Sequence, residues 1–427
     1  MSKTIKSYLP YYLLFLTPFL IIPGIALVEI SVASLILFFL FKNKSINYYK
    51  DFKFLFLIIF SIYVAINAFF QINDNLKYSS FFFFRFSLLS LSICFILDLN
   101  KSISNNIKKY ILFFFIVFNI LIFLDSYLQF LTGKNILGFE IIGSTISSIF
   151  GSELILGSFL IKLLPIIIFL FFYSNVDIKK YSLIIILFFS FYFSIIYLAG
   201  GRTPFFLMVL FIFFSIIFIK DLRSIFLKSL LILTIFISSF FVFEFGKSNP
   251  VDRIFVKTFS QITDNYFNKI KNDTFEKKRE FSKEIKIFSS NHHGHYILAY
   301  DLFKQNPVWG IGPKGFRHYC RSVDYDPPLG ICSTHPHNFL VQISLETGLI
   351  GLVFYLSGLI FVILRLLKGY WTKDFGERNC FLIISIGLIV NFFPFVPNGN
   401  FFNNWISIIN FFYIGFYMYS YKKIFSS

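Results

Sequence analysis

The stretch CSTHPHNFLVQISLETGLIG, residues 332–351, sets two histidines, an asparagine, a glutamine and a glutamate directly before an apolar run. His337 carries the sharpest chemical possibility: an imidazole with an ordinary pKa of about 6.5 can take a proton near neutral pH as a general base, or it can make one structural hydrogen bond. All six histidines, His292, His293, His295, His318, His335 and His337, fall between positions 292 and 337. That gathering makes this part of the chain the first place to look for a site. The run HHGH offers closely spaced imidazoles, but neither an HExxH helix nor a paired CxxC accompanies it, so no metal and no cofactor is expected. The plainer reading of His292, His293 and His295 is partly exposed polar residues at a helix start.

Three further passages could meet an anion. In GIGPKGFR, residues 310–317, the GxGxxG spacing is a decoy for a dinucleotide fingerprint, since no strand precedes it and Pro313 breaks the required helix opening. It reads either as a turn alone or as a glycine-rich turn whose backbone N–H groups, with Lys314 and Arg317, meet phosphate oxygens. In GGRTP, residues 200–204, Thr203 is a natural N-cap and Pro204 suits the first helical position. A helix starting there would point its positive end and free N–H groups at an anion, with Arg202 beside them; the alternative is a capped interfacial turn with a snorkelling arginine. Arg85, inside FFFFRFSLLS, should face a protein-lined cavity because an arginine in lipid is costly. Asp125, Gln129 and Lys162 are weaker cases of the same kind, and each could pair with another span.

The elements that must position these groups are membrane helices. Of 427 residues 56% are hydrophobic and 14% charged, with 67 phenylalanines, and the apolar residues come in blocks too long for buried core helices. Uninterrupted apolarity selects helices over a closed barrel. The expected fold is all-α, with about 12 transmembrane helices near residues 10–24, 25–42, 52–70, 80–98, 109–131, 153–173, 180–199, 203–220, 225–244, 349–368, 378–397 and 402–421. The domain plan is nine spans in 1–244, one large outward loop over 245–336, and an interfacial helix with the last three spans in 337–427. Pro23 and Gly24 split the first apolar block, and no removed signal peptide is expected.

The formal charge of +17 is set out in clusters: Lys42, Lys44, Lys50 and Lys53; Lys101, Lys108 and Lys109; Lys179 and Lys180; Lys220, Arg223 and Lys228; Arg365, Lys368, Lys373 and Arg378; Lys422 and Lys423. These fall in every second connection, as the positive-inside rule requires, so membrane lipids and not nucleic acid are the expected surroundings. Both termini are then cytoplasmic, and GGRTP and the long loop face outward. Cys320 and Cys332 share that loop and read as a disulfide if the outside is oxidising, or as two free thiols. If the chain is helical from His337 onward, Asn338, Gln342 and Glu346 form one polar stripe toward a cavity, and Gly348 and Gly351 bring the chain into the bilayer against a neighbour.

The passage HPHNFLVQISLETGLIG resembles the signature of the O-antigen ligase and O-antigen polymerase superfamily, bacterial inner-membrane glycan transferases, with His337, Asn338, Gly348 and Gly351 in the matching places. LDSYLQFLTGKNILG (124–138), SIFGSELILGSFL (148–160), GGRTP and NPVWGIGPKGFR also resemble family stretches, so the likeness covers most of the chain. It implies transfer of a glycan from undecaprenyl diphosphate to lipid A-core by a ligase, or to another lipid-linked repeat by a polymerase, at the periplasmic face of the inner membrane. By the same resemblance the reaction is metal-independent and inverting, His337 takes the acceptor proton, and Arg202 stabilises the leaving diphosphate, with Arg85, Arg317 and Lys314 as further contacts. Asn338, Glu346, Gly348, His292 and His293 would support the site. Relatives carry a loop arginine where this chain reads NHHGHYILAYDLF; His292 or His293 replaces it, or Arg279 or Arg317 reaches in. A lipid-linked glycan flippase is the rival from another class, but carriers place ionisable groups at mid-membrane between internal repeats, and no repeat is visible here.

Overall fold

A chain of apolar blocks in lipid has no water to satisfy its backbone, so each block closes its own hydrogen bonds as a helix. The computed structural model describes residues 3–42, 52–71, 80, 82–101, 103–243, 246–260, 290–320, 332–373 and 375–425. Its α-helices are α1 (Lys3–Leu16), α2 (Ile25–Leu40), α3 (Phe52–Gln71), α4 (Phe84–Leu99), α5 (Asn105–Thr132), α6 (Leu156–Tyr173), α7 (Ser182–Leu198), α8 (Arg202–Phe218), α9 (Lys220–Phe243), α10 (Ser290–Gln305), α11 (Gly315–Tyr319), α12 (Phe339–Tyr370), α13 (Phe375–Asn391) and α14 (Asn404–Phe425). Among the described residues there is no β-strand, only the isolated bridges Lys134–Glu140 and Ile142–Thr145.

A helix occupies each of the twelve apolar stretches. Five of them contain segments long and apolar enough to cross a membrane: Lys53–Phe70, Asn105–Thr132, Leu156–Tyr173, Lys220–Ser239 and Phe339–Tyr370. Shorter apolar helices run over Tyr8–Ile21, Ile25–Leu40, Ser182–Leu198 and Arg202–Phe218. The break at Pro23 and Gly24 is present, with Gly24 at φ 143° leading into α2. Residues 261–289 and 321–331, within the stretch assigned to the large loop, lie outside the described residues, as do Lys44, Lys50 and Arg279.

The core is a phenylalanine mesh in which rings meet mostly edge to face, as their quadrupoles favour; Phe83, for example, sits 5.4 Å from both Phe86 and Phe402. Helices close tightly where small residues allow it. A Cβ on Gly415 of α14 would lie 2.9 Å from the Ser90 carbonyl of α4, and the Ser90 hydroxyl donates across the same contact to the Phe411 carbonyl at 2.6 Å. Lys162 does pair with another helix: its ammonium donates to Asn391 on α13, which in turn donates to Asn410 at 2.5 Å. Asp125 and Gln129 do something different. Asp125 accepts from the Ile136 amide (2.9 Å) and the Ser148 hydroxyl (2.5 Å), and Gln129 accepts from the Ser147 and Ser148 amides, so α5 holds the connection to α6 in place.

Candidate functional site

The site is built around the start of α12. Asn338 is the N-cap, accepting from the Val341 amide at 3.1 Å while its amide group donates to the Pro394 and Val396 carbonyls at 2.8 and 3.1 Å. His337 therefore precedes the helix instead of beginning it, in a left-handed conformation with φ 56°. Its carbonyl accepts from the Asn398 amide at 2.7 Å. The stripe expected to face a cavity is in fact consumed by neighbouring chain, since Gln342 and Glu346 are fully buried. Gln342 donates to Glu346 and to Asn400, and accepts from the Phe401 amide; Glu346 accepts from the Lys314 amide at 2.9 Å and the Phe316 amide at 3.3 Å. Sequence periodicity places these groups on one face, but which partner fills that face is decided by loops far away in the chain.

Gly348 breaks α12 with φ 63° and ψ −167°. A Cβ there would lie 2.1 Å from the Val308 carbonyl oxygen, and one on Gly310 would lie 2.6 Å from the Gly348 nitrogen, so two glycine backbones meet face to face. The close neighbour of Gly348 is thus the loop over 307–311 and not another span; the Ile311 amide bonds the Leu345 carbonyl and the Leu349 amide bonds the Pro307 carbonyl. Gly351 makes room for Thr347 of its own helix. From α3, Tyr63 donates to the Thr347 carbonyl at 2.6 Å and Asn67 donates to the Trp309 carbonyl at 2.5 Å.

Four histidines gather at this junction. The His337 ring lies 4.1 Å from His335, 5.2 Å from His295 and 5.6 Å from His292, between centroids. His335 can donate only from Nε2 to the Asn398 carbonyl (3.3 Å), which leaves Nδ1 to accept from the Thr334 hydroxyl (3.0 Å) and fixes its neutral tautomer. Burial first, then neighbouring charge, lowers all four pKa values. His335 falls to about 3 and His295 to about 4. His337 is lowered by burial and then by His292, and His292 by burial and then by Arg202. The cluster therefore presents neutral imidazoles near neutral pH. His337 Nε2 keeps one protein partner, the Ser333 hydroxyl at 3.0 Å.

Cations ring this cluster. Arg202 opens α8 and stands close enough to depress His292; its Nε donates to the Arg253 carbonyl at 3.1 Å. The N-cap is Gly201, without a side-chain cap bond, so Thr203 and Pro204 lie two positions deeper in the helix than their types suggested. Arg253, which sequence reasoning passed over, sits on a short π-turn over Asp252–Val256 and donates to the Thr145 hydroxyl in the connection that Asp125 and Gln129 hold. Its only signal in the sequence is a cation three residues after an Asn-Pro pair. On the other flank, Arg317 depresses both His335 and Lys314, and burial with Arg317 brings Lys314 down to about 8.

The glycine-rich turn is not a backbone phosphate cradle. Gly310, Gly312 and Lys314 take positive φ values, and the Lys314 and Phe316 amides point to Glu346. The cations of this turn are the side chains of Lys314 and Arg317, and Lys314 also feels the Glu346 carboxylate. Arg85 is held by Glu29 of α2 at 2.9 Å and by the Phe82 carbonyl, and lies over the Phe86 ring; it reaches the site as a distant charge on Lys314. His318 stands apart, exposed, its ring against Tyr319. The His293 side chain lies outside the described residues, although its backbone belongs to α10. Cys320 and Cys332 are joined by a disulfide, their Cα atoms 5.3 Å apart, which ties the end of α11 to the passage before His337. Among the described residues no group of three or more His, Cys, Asp or Glu side chains is arranged to hold a metal ion.

Neutral imidazoles beside guanidinium groups, Arg202 near His292 and Arg317 near His335, can accept a proton and hold an anion at once. Residues 183–356, which span α7 to the first half of α12 and so include Arg202, Arg253, the histidines and Glu346, match the family model described as O-Antigen ligase. No curated protein matches the chain.

Proposed function

We propose that this chain, whose residues 183–356 match the family model described as O-Antigen ligase, is a metal-independent, inverting glycosyltransferase of that superfamily that moves a glycan from undecaprenyl diphosphate to lipid A-core at the periplasmic face of the inner membrane. The family's substrates are lipid-linked glycans. The observation that carries the reading is the position of His337, neutral by burial, among other neutral imidazoles and between two groups of cations.

In this reaction the acceptor hydroxyl attacks the anomeric carbon of the donor sugar from the face opposite the diphosphate. The C–O bond to the diphosphate breaks, its electron pair leaves with the phosphate oxygen, and the hydroxyl proton passes to His337. Charge grows on the leaving oxygen only as that bond breaks, so cations placed there favour the transition state over the bound donor. Arg202 takes this role, with Arg317 and Lys314 on the other flank. A base with a lowered pKa is deprotonated at working pH and needs no activation. Asn338, Glu346 and Gly348 act by placing His337 and the Lys314–Arg317 turn. The Cys320–Cys332 disulfide favours an oxidising compartment for this face.

Deletion of the gene followed by inspection of the lipopolysaccharide ladder tests the choice of activity. Loss of all long chains with accumulation of lipid-linked polymer is the expected result. Core capped by a single repeat would assign the chain to polymerisation instead, and glycan trapped on the cytoplasmic leaflet would make it a flippase. His337→Ala and Arg202→Ala should each lower transfer by about 100-fold or more at unchanged protein abundance; full activity in either removes that residue from the mechanism.

A further inference from the structure

Away from the histidines, the helices frame an apolar cavity of about 340 Å³ between α3, α12, α13 and α14. Phe60, Phe354, Leu388, Phe411 and Met418 contribute to its walls, and Lys53 is the one charged residue among the described residues that lines it. A space of this size is an order of magnitude above what a single water needs, and its walls offer water almost no partners. The cavity opens sideways between α3 and α12, where Ser357 is exposed and Phe56 and Gly358 are half-buried. A Cβ on Gly358 would meet only the Phe56 ring, at 3.7 Å, so the glycine keeps this mouth open without being required by close packing.

Lys53 fixes the direction of any occupant. It lies at one end of α3, whereas Asn67, on the same helix, bonds the Trp309 carbonyl beside the histidine site. Fourteen residues of helix separate the two, roughly 21 Å. The cavity's charge is therefore at the end remote from the reaction, and a donor lipid with its diphosphate at Arg202 would meet no anion contact there. Lys53 is not alone. Its ammonium lies 4.2 Å from the centre of the Tyr421 ring, and the Arg365 guanidinium lies 5.7 Å from that same ring and 5.6 Å from Phe425, which Lys368 also approaches at 5.8 Å. Aromatic faces hold these cations at the helix ends, where their charged heads snorkel toward a headgroup layer.

We propose that the cavity binds one hydrocarbon chain of an anionic phospholipid drawn from the leaflet on this basic side, with the lipid phosphate between Lys53 and Arg365. The lipid fills the gap between α3 and α12, the two helices that also meet through the Tyr63–Thr347 bond at the site. Basic pockets between helices recognise acidic headgroups in this way, each cation adding to the affinity near the surface.

The test uses the full-length protein in detergent, stripped of lipid, with phosphatidylglycerol or phosphatidylcholine of identical tails added and bound lipid counted by native mass spectrometry. Wild type should retain one phosphatidylglycerol with roughly tenfold or greater preference over phosphatidylcholine. Lys53→Gln with Arg365→Gln should remove the preference, and Gly358→Leu, which fills the mouth, should remove retention of both lipids. Equal retention of the two lipids by wild type, or unchanged phosphatidylglycerol retention in the Lys53→Gln, Arg365→Gln variant, would overturn the proposal. Loss in Gly358→Leu without any headgroup preference would mean a hydrocarbon occupant alone, such as a polyprenyl tail, and would overturn it too. Should Gly358→Leu unfold in a thermal melt, the charge variant decides by itself.

Discussion

At the scale of single residues, the site depends on keeping imidazoles uncharged beside guanidinium groups. In the proposed mechanism His337 serves as base only when deprotonated, so its lowered pKa predicts that transfer persists below pH 6.5 and fails as the pH falls through the lowered value. The second cause of that lowering is His292. His292→Ala should therefore raise the His337 pKa and move the acid limb of the kcat/KM profile to higher pH, with a smaller change on the neutral plateau. An acid limb that stays in place would separate His292 from the base. His337 and Arg202 were legible in the sequence because their residue types are rare in so apolar a chain and stand beside turns and helix starts. Arg253 was not, because its backbone carbonyl and a threonine from a remote connection define its place, and neither contact leaves a local pattern.

At the scale of elements, the kink in α12 and the turn over 310–317 form one unit. Gly348→Ala places a methyl group where the Val308 carbonyl oxygen stands 2.1 Å away, and the left-handed φ adds strain. The variant should lose most transfer activity and unfold at lower temperature in detergent, whereas Gly358→Ala, which meets no close atom, should match wild type in both measurements. Glu346→Leu leaves the Lys314 and Phe316 amides without their acceptor, at a cost of about 1–3 kcal/mol for each buried group. Faster hydrogen exchange at those amides, with weaker donor binding and little change in the pH profile, is the expected signature. An altered acid limb would instead tie Glu346 to proton transfer. The helix itself was readable from its apolar period, although its start was expected at His337 and the structure begins it at Phe339, after the Asn338 cap. Its polar stripe was readable as a stripe, but its partners were not, because they come from residues 314–316 and 394–401.

At the scale of the molecule, the two ends of α3 differ in chemistry: Asn67 meets the Trp309 carbonyl beside the histidine site, whereas Lys53 lies over the Tyr421 ring, which Arg365 also approaches. Cysteine placed at exposed His318 should react with an impermeant maleimide from the outside of intact spheroplasts, and cysteine placed at exposed Trp371 only after the membrane is opened; the native cysteines outside the disulfide, Cys94 and Cys380, are buried and should stay silent. Labelling of both from one side would overturn the expected orientation. What the sequence by itself determined is the class of element, since long apolar blocks admit only helices; the rare ionisable residues and the basic clusters at alternate connections set expectations of where function concentrates and which face is outward. Only the tertiary structure decided that Glu346 takes up the backbone amides of the glycine-rich turn, that Arg85 is held by Glu29, and that His292, His295 and His335 gather around His337. The reason is physical. Periodicity reports which face of a helix is turned inward, whereas charge pairing and desolvation depend on atoms brought together from distant parts of the chain.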